Sequence, residues 1–167
     1  LCFGIVPSNA FAAEYEYDGY ISMIDYNGRG YSLSSSLPAP FGGYSTDKFT
    51  ELRINDLTAF RTAYCIQLGV ATGIGYDQSD DYAALTTEQK AMINTALTLG
   101  YNVETGTKYG GSAMDEYIAT QILIWLIAHG QLGTGYENQI VNEITANSPA
   151  AKTIFQKLRE NVVTYHT

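Results

Sequence analysis

The sequence predicts an α+β domain, with an N-terminal β portion of sandwich or barrel-like form packed against a helical portion. Three observations carry this expectation. Short runs rich in aromatic and β-branched residues, separated by turn residues, occupy the stretch from about residue 13 to 68. From about residue 84 to 165 the apolar spacing becomes helical and cap residues stand at the expected starts. One of these helices is apolar nearly all round, so other elements must enclose it. A chain of 167 residues is long enough for a single domain with a substantial core.

The leading residues 1–12 read as the remnant of an export signal. Leu1-Cys2-Phe3-Gly4-Ile5-Val6 is apolar, and Ala10-Phe11-Ala12 has the small-x-small pattern cut before Ala13. Next, Tyr20 to Ile24 and Tyr31 to Leu33 flank Asn27-Gly28, a dipeptide that tolerates the positive φ of a tight turn, which predicts a hairpin over 18–36. The segment from Ser36 to Thr46, with Pro38, Pro40 and Gly42-Gly43, predicts a loop. Strands are expected again over 49–54 and 60–68, with Cys65 in or at the end of the second.

Thr86 with Gln89 makes a capping-box pattern before an apolar stripe of Ile93, Ala96 and Leu97 that stops at Gly100, predicting a helix over 86–99. Ser112 is placed to cap the apolar helix that runs through Tyr117, Gln121 and Trp125 to Gly130. A further helix is expected over 136–146, and Ser148-Pro149 starts a last one with Ile154, Phe155, Leu158 and Val162 inward. No internal repeat or low-complexity tract is visible.

Nine basic against seventeen acidic residues give a net charge of −8, which argues against nucleic acid and anionic membranes as partners. No apolar run after residue 12 reaches the length of a spanning helix, so membrane insertion by this domain is not expected. Fourteen tyrosines, sixteen glycines and only 16% charged residues suit an extracellular domain. Nothing in the sequence calls for a cofactor or a metal, and the oligomeric state is left open.

Two residues stand out chemically. If residues 1–12 are removed, Cys65 is the only thiol in an exported chain. Two other readings stay open: a Cys2–Cys65 disulfide, and a lipid-anchored Cys2. Gln121 lies mid-helix among apolar neighbours, where its amide needs a hydrogen-bonding partner. Nearby backbone would satisfy it. Trp125, four residues on, shares its helical face and is placed either to cover it or simply to pack the core.

The segments Tyr64-Cys65-Ile66 and Thr120-Gln121, with a Trp four residues after the glutamine and Leu85-Thr86-Thr87-Glu88-Gln89-Lys90 and Gly100-Tyr101 between them, resemble the thioester domains of Gram-positive bacterial surface adhesins. The resemblance covers roughly residues 60–130. It implies an internal thioester joining the Cys65 sulfur to the Gln121 side-chain carbonyl, formed with loss of ammonia. It also implies a secreted domain at the cell surface or cell wall, acting as an adhesin on a host surface or matrix protein that presents a lysine amine. A thioester turns an inert carboxamide into an acyl donor, because thiolate is a good leaving group. Attack by the amine would leave a stable amide at Gln121 and release Cys65, a single use and not a turnover reaction. Tyr64, Tyr117, Ile122 and Trp125 are the residues expected to limit access of water to such a bond. The sequence does not identify a general base or oxyanion donor.

Rival readings remain. Gln67 is a second glutamine close to Cys65. Cys65 with His129 or His166 would make a cysteine-nucleophile transamidase or protease-like enzyme. By simpler readings His129 caps a helix C-terminus, where a cation is favoured, and His166 is solvent-exposed. A non-covalent glycan- or protein-binding module presenting its tyrosines is the third class.

Overall fold

The computed structural model of the protein describes residues 4–5, 20–55, 60–69 and 83–167. The strands are β1 (Gly4–Ile5), β2 (Tyr20–Ser32), β3 (Ser45–Asn55) and β4 (Phe60–Cys65); the helices are α1 (Thr87–Leu99), α2 (Ala113–Ala128), α3 (Glu137–Ile144) and α4 (Pro149–Tyr165). The fold is α+β, a sheet followed by four helices. The described strands form one antiparallel sheet in the order β1-β4-β3-β2, with no second sheet to make a sandwich. Helix side chains take that place: Tyr64 of β4 stacks on Tyr117 of α2, and Phe49 of β3 meets Tyr117 and Trp125.

The expected hairpin over 18–36 is not formed. β2 runs unbroken from Tyr20 to Ser32, and its partner is β3, reached through the loop at 33–44. Asn27-Gly28 instead marks a register shift between Asn27 and Tyr31, with Gly28 at φ +81°. A glycine at positive φ serves a β-bulge as readily as a tight turn. The Pro- and Gly-rich loop, the strand over 49–54 and the strand ending at Cys65 lie where the sequence places them, although after Cys65 the chain bends away and strand pairing stops. Gly4 and Ile5 pair with Cys65 and Tyr64. Cys2 and the Ala10-Phe11-Ala12 site lie outside the described residues.

The helices begin where cap chemistry dictates. Thr86 Oγ1 accepts from Gln89 N–H at 3.1 Å while Gln89 Oε1 accepts from Thr86 N–H at 2.9 Å. Gln89 Nε2 also donates to the Ile127 carbonyl at 2.9 Å, fastening α1 to the end of α2. Ser112 Oγ accepts from Asp115 N–H at 3.1 Å, and Asp115 and Glu116 set negative charge at the α2 N-terminus. The Glu116 carboxylate, fully buried, accepts N–H groups of Lys108 (2.6 Å), Tyr109 (2.9 Å) and Gly111 (3.1 Å), which holds the preceding loop. Pro149 opens α4, and Arg159 of α4 grips Glu137 of α3 through two bonds of 2.7 and 2.9 Å.

Every residue of α2 from Asp115 to Ile127 is buried, so α2 is the axis of the molecule. Its near-continuous apolar sequence follows from contact with the sheet on one side and with α1, α3 and α4 around the rest. At the α1 exit a side chain on Gly100 would collide with Thr120, the neighbour of Gln121. Thr120 Oγ1 accepts from Tyr101 N–H at 3.0 Å, which fixes the α1 exit against the middle of α2.

Candidate functional site

The site is built where α2 crosses the end of β4. Tyr117, Gln121, Trp125 and His129 recur every four residues and share one face of the helix. Four helical residues advance about 6 Å and two strand residues about 6.6 Å, so this face keeps step with alternate residues of β4. Three of its members bind β4 or its continuation in the same order along both chains. Tyr117 Oη donates to the Ala63 carbonyl at 2.8 Å, Gln121 bonds Cys65, and His129 Nε2 accepts from Leu68 N–H at 3.2 Å.

Gln121 is 1% exposed, and its carboxamide meets both backbone groups of a single residue. Cys65 N–H donates to Gln121 Oε1 at 2.9 Å, and Gln121 Nε2 donates to the Cys65 carbonyl at 2.7 Å. Only one orientation of the amide satisfies both bonds, so its oxygen and nitrogen are fixed by the pairing itself. The side-chain carbonyl carbon of Gln121 is thereby held against the residue that carries the sulfur.

Tyr117 bridges two strands. Its hydroxyl accepts from Leu52 N–H of β3 at 3.1 Å while donating to Ala63 of β4, so it stands between two strands at the last pair of their ladder, Leu52 and Ala63. Beyond this wedge the strands part. The gap is a cleft of about 380 Å³ lined by Thr50 and Leu52 from β3, by Cys65 and Leu68, and by Gln121 and Trp125 from α2.

Cys65 is half-buried in this cleft, and Trp125, 7% exposed, lies beside it. Trp125 Nε1 is buried without a hydrogen-bond partner among the described residues. Tyr64 and Tyr117 are fully buried and stack with ring centres 4.7 Å apart, on the helix-facing side of the sheet. Burial holds both phenols well above the ordinary tyrosine range, so both stay protonated, the form in which Tyr117 donates to Ala63. Of the four residues expected to shield the bond, Trp125 lines the cleft, whereas Tyr64, Tyr117 and Ile122 are fully buried in the core and do not. Tyr44 and Leu68, which do line it, carry no signal in the sequence beyond ordinary apolar character.

Cys65 is disulfide-bonded in this structure, and no cysteine is free among the described residues. The reading of Cys65 as a lone thiol therefore concerns a chain cut before Ala13. Cys65 is thus not a free thiol here, and Cys2, the partner named in the disulfide alternative, lies outside the described residues.

His129 caps the C-terminus of α2, as expected. Its ring nitrogen Nε2 accepts the Leu68 N–H, and the ring lies edge-on to Phe41 at 5.5 Å. His166 is exposed, as expected, and shares a hydrogen bond with Thr95 Oγ1 at 2.8 Å. Gln67 also lines the cleft, but it is Gln121 whose amide is fixed on Cys65.

The family model for the thioester domain matches residues 62–164, more than half of the chain. The protein belongs to the thioester-domain family. The match begins within β4 and takes in both Cys65 and Gln121, the residues that the fold brings together. Comparison with curated proteins and with solved structures gives no match. Among the described residues of this thioester domain, no helix is long and apolar enough to cross a membrane.

Proposed function

We propose that this thioester domain is an adhesin module of a bacterial cell surface, in which Cys65 and Gln121 form an internal thioester that captures a lysine amine of a host protein. The observation that carries the reading is the double hydrogen bond between the Gln121 carboxamide and the Cys65 backbone. In forming the bond, the Cys65 sulfur attacks the side-chain carbonyl carbon of Gln121. A C–S bond forms, the C–N bond breaks, and the amide nitrogen leaves as ammonia with the thiol proton. Capture reverses the exchange: the amine nitrogen forms a C–N bond to the same carbon, the C–S bond breaks, and the sulfur leaves to become the Cys65 thiol.

Both steps place negative charge on Oε1. Cys65 N–H already lies 2.9 Å from that oxygen, within the range of a working oxyanion donor, and supplies the donor that the sequence does not reveal. The bond to the Cys65 carbonyl, by contrast, belongs to the amide nitrogen and is given up with the ammonia. Because sulfur cannot hold both bonds, the thioester requires Cys65 released from its disulfide.

The test is the intact mass of the mature protein with and without methylamine, followed by peptide mapping. The expected result is a mass short by one ammonia, then a methylamide at Gln121 together with an alkylatable Cys65. An unmodified mass with glutamine retained at 121, in protein whose Cys65 is a free thiol, would remove the chemistry. The cysteine-enzyme alternative is disfavoured by the histidines: His129 Nε2 is engaged by Leu68 and His166 is bonded to Thr95 on α1.

A further inference from the structure

We infer that the open edge of β3 beside Gln121 receives an extended segment of the partner as an added β-strand, and that this strand presents the lysine. The inference rests on the thioester reading above and concerns how its substrate is seated.

In an antiparallel sheet, alternate residues turn their N–H and C=O to opposite sides of the strand. Leu52 turns its N–H toward β4, where Tyr117 Oη receives it. Thr50 and Lys48, two and four residues earlier, therefore turn theirs the same way. No β4 lies opposite them, since the β3–β4 ladder ends at Leu52 and Ala63. Lys48 meets its edge locally: Thr46 Oγ1 donates to its carbonyl at 3.1 Å. Thr50 has no strand partner on this side among the described residues.

The open backbone faces the same cleft as Gln121 and Cys65. Neighbouring strands lie about 4.8 Å apart, so a segment paired with Thr50 would lie within the space between β3 and Cys65. A strand edge recognises a backbone, which selects an extended peptide over a glycan. Trp125, on the cleft wall, adds an apolar surface beside this edge. Asp25 sits on the rim beside Thr50, its carboxylate held below the usual range by hydrogen bonds from Lys48 and Thr50, and the chain carries a net charge of −8. Lys48, which pairs with Asp25, offsets that carboxylate, so it is the net charge that favours a basic, amine-bearing segment.

The experiment compares capture rates in thioester-bearing protein for four probes: methylamine, Nα-acetyl-lysine N-methylamide, the peptide acetyl-Thr-Val-Lys-Val-Thr-amide, and that peptide N-methylated at alternate backbone nitrogens. The unmodified peptide is expected to react about tenfold faster than the single lysine, a factor that one or two backbone hydrogen bonds supply, and N-methylation is expected to remove the advantage. Amide hydrogen exchange at Thr50 should slow by about tenfold in the peptide adduct relative to the methylamine adduct. Equal rates for the lysine probes, or unchanged exchange at Thr50, would overturn the inference while leaving the thioester intact. Absence of any methylamine adduct would overturn the thioester reading and this inference with it.

Discussion

The carboxamide of Gln121 lies against Cys65 as one strand lies against another, accepting its N–H at 2.9 Å and donating to its carbonyl at 2.7 Å. This relationship does two things in one arrangement. It closes the end of β4, where strand pairing with β3 has stopped, and it brings the acyl carbon to the residue that bears the sulfur. The amide is thus both a structural link and the group to be consumed. Chemistry at Gln121 must alter the support of β4.

The first prediction follows from the direction of these bonds. Hydrolysis of a thioester leaves glutamate at 121, and a carboxylate oxygen would then face the Cys65 carbonyl, acceptor against acceptor, in a buried site. Gln121→Glu is therefore expected to destabilise the fold at neutral pH by about 1–3 kcal/mol, the cost of an unmet buried polar contact. Burial and the facing carbonyl raise the pKa of this carboxyl in the folded state, so its stabilising, protonated form is present at low pH and lost as pH rises. Denaturant unfolding should show the deficit shrinking on acidification. A deficit independent of pH would contradict this account.

A second prediction concerns Tyr117. Phenylalanine at this position keeps the stacking on Tyr64 but removes the bridge between Leu52 N–H and the Ala63 carbonyl. With both groups buried, Tyr117→Phe should cost about 1–3 kcal/mol in denaturant unfolding. If the strands instead close directly onto one another, the cleft narrows, and capture of a lysine peptide should slow more than capture of methylamine. Stability and both rates at parental values would show that the hydroxyl does not hold the strands apart.

These two residues also show what the sequence makes legible. Gln121 is visible because an amide amid Ile and Leu breaks the apolar pattern of its helix, and Tyr117 is visible only as one more aromatic. Where their polar atoms go depends on strands more than fifty residues earlier, which no local pattern records. Helix starts are legible because cap chemistry is local, as Thr86 with Gln89 and Ser112 with Asp115 show. The Asn27-Gly28 step misleads for the converse reason. Positive φ at Gly28 is a local property, but whether it turns the chain or bulges a strand is decided by β3, the partner of β2 on both sides of the step.

A third prediction separates two states of Cys65. In the 167-residue chain, β1 pairs with Cys65 and Tyr64 and Cys65 is disulfide-bonded. On the Cys2–Cys65 reading, protein that retains residues 1–12 should show a mass short by two hydrogens, resist alkylation and ignore methylamine. Protein beginning at Ala13 should show the loss of ammonia and the methylamine adduct. Reduction of the longer chain should release its thiol to alkylation. If the longer chain instead loses ammonia and reacts with methylamine before any reduction, the two bonds do not compete for this sulfur.

The last prediction uses the buried phenols. Burial raises the pKa of Tyr31, Tyr64 and Tyr117 above the ordinary value of about 10 that each has when unfolded. Below that value both states are protonated and the stabilisation is complete. Above it the unfolded state gains charge that the folded state resists, so stability falls as pH rises. Tyr117 adds a geometric reason, because ionisation would remove the proton it donates to Ala63. The tyrosinate absorbance of these three residues should therefore appear in one step with alkaline unfolding, followed in parallel by far-ultraviolet circular dichroism. Reversible ionisation of all fourteen tyrosines while the helical signal is retained would show that the hydroxyls stacked beside Gln121 are open to solvent. The water-shielded setting proposed for the thioester would then be lost.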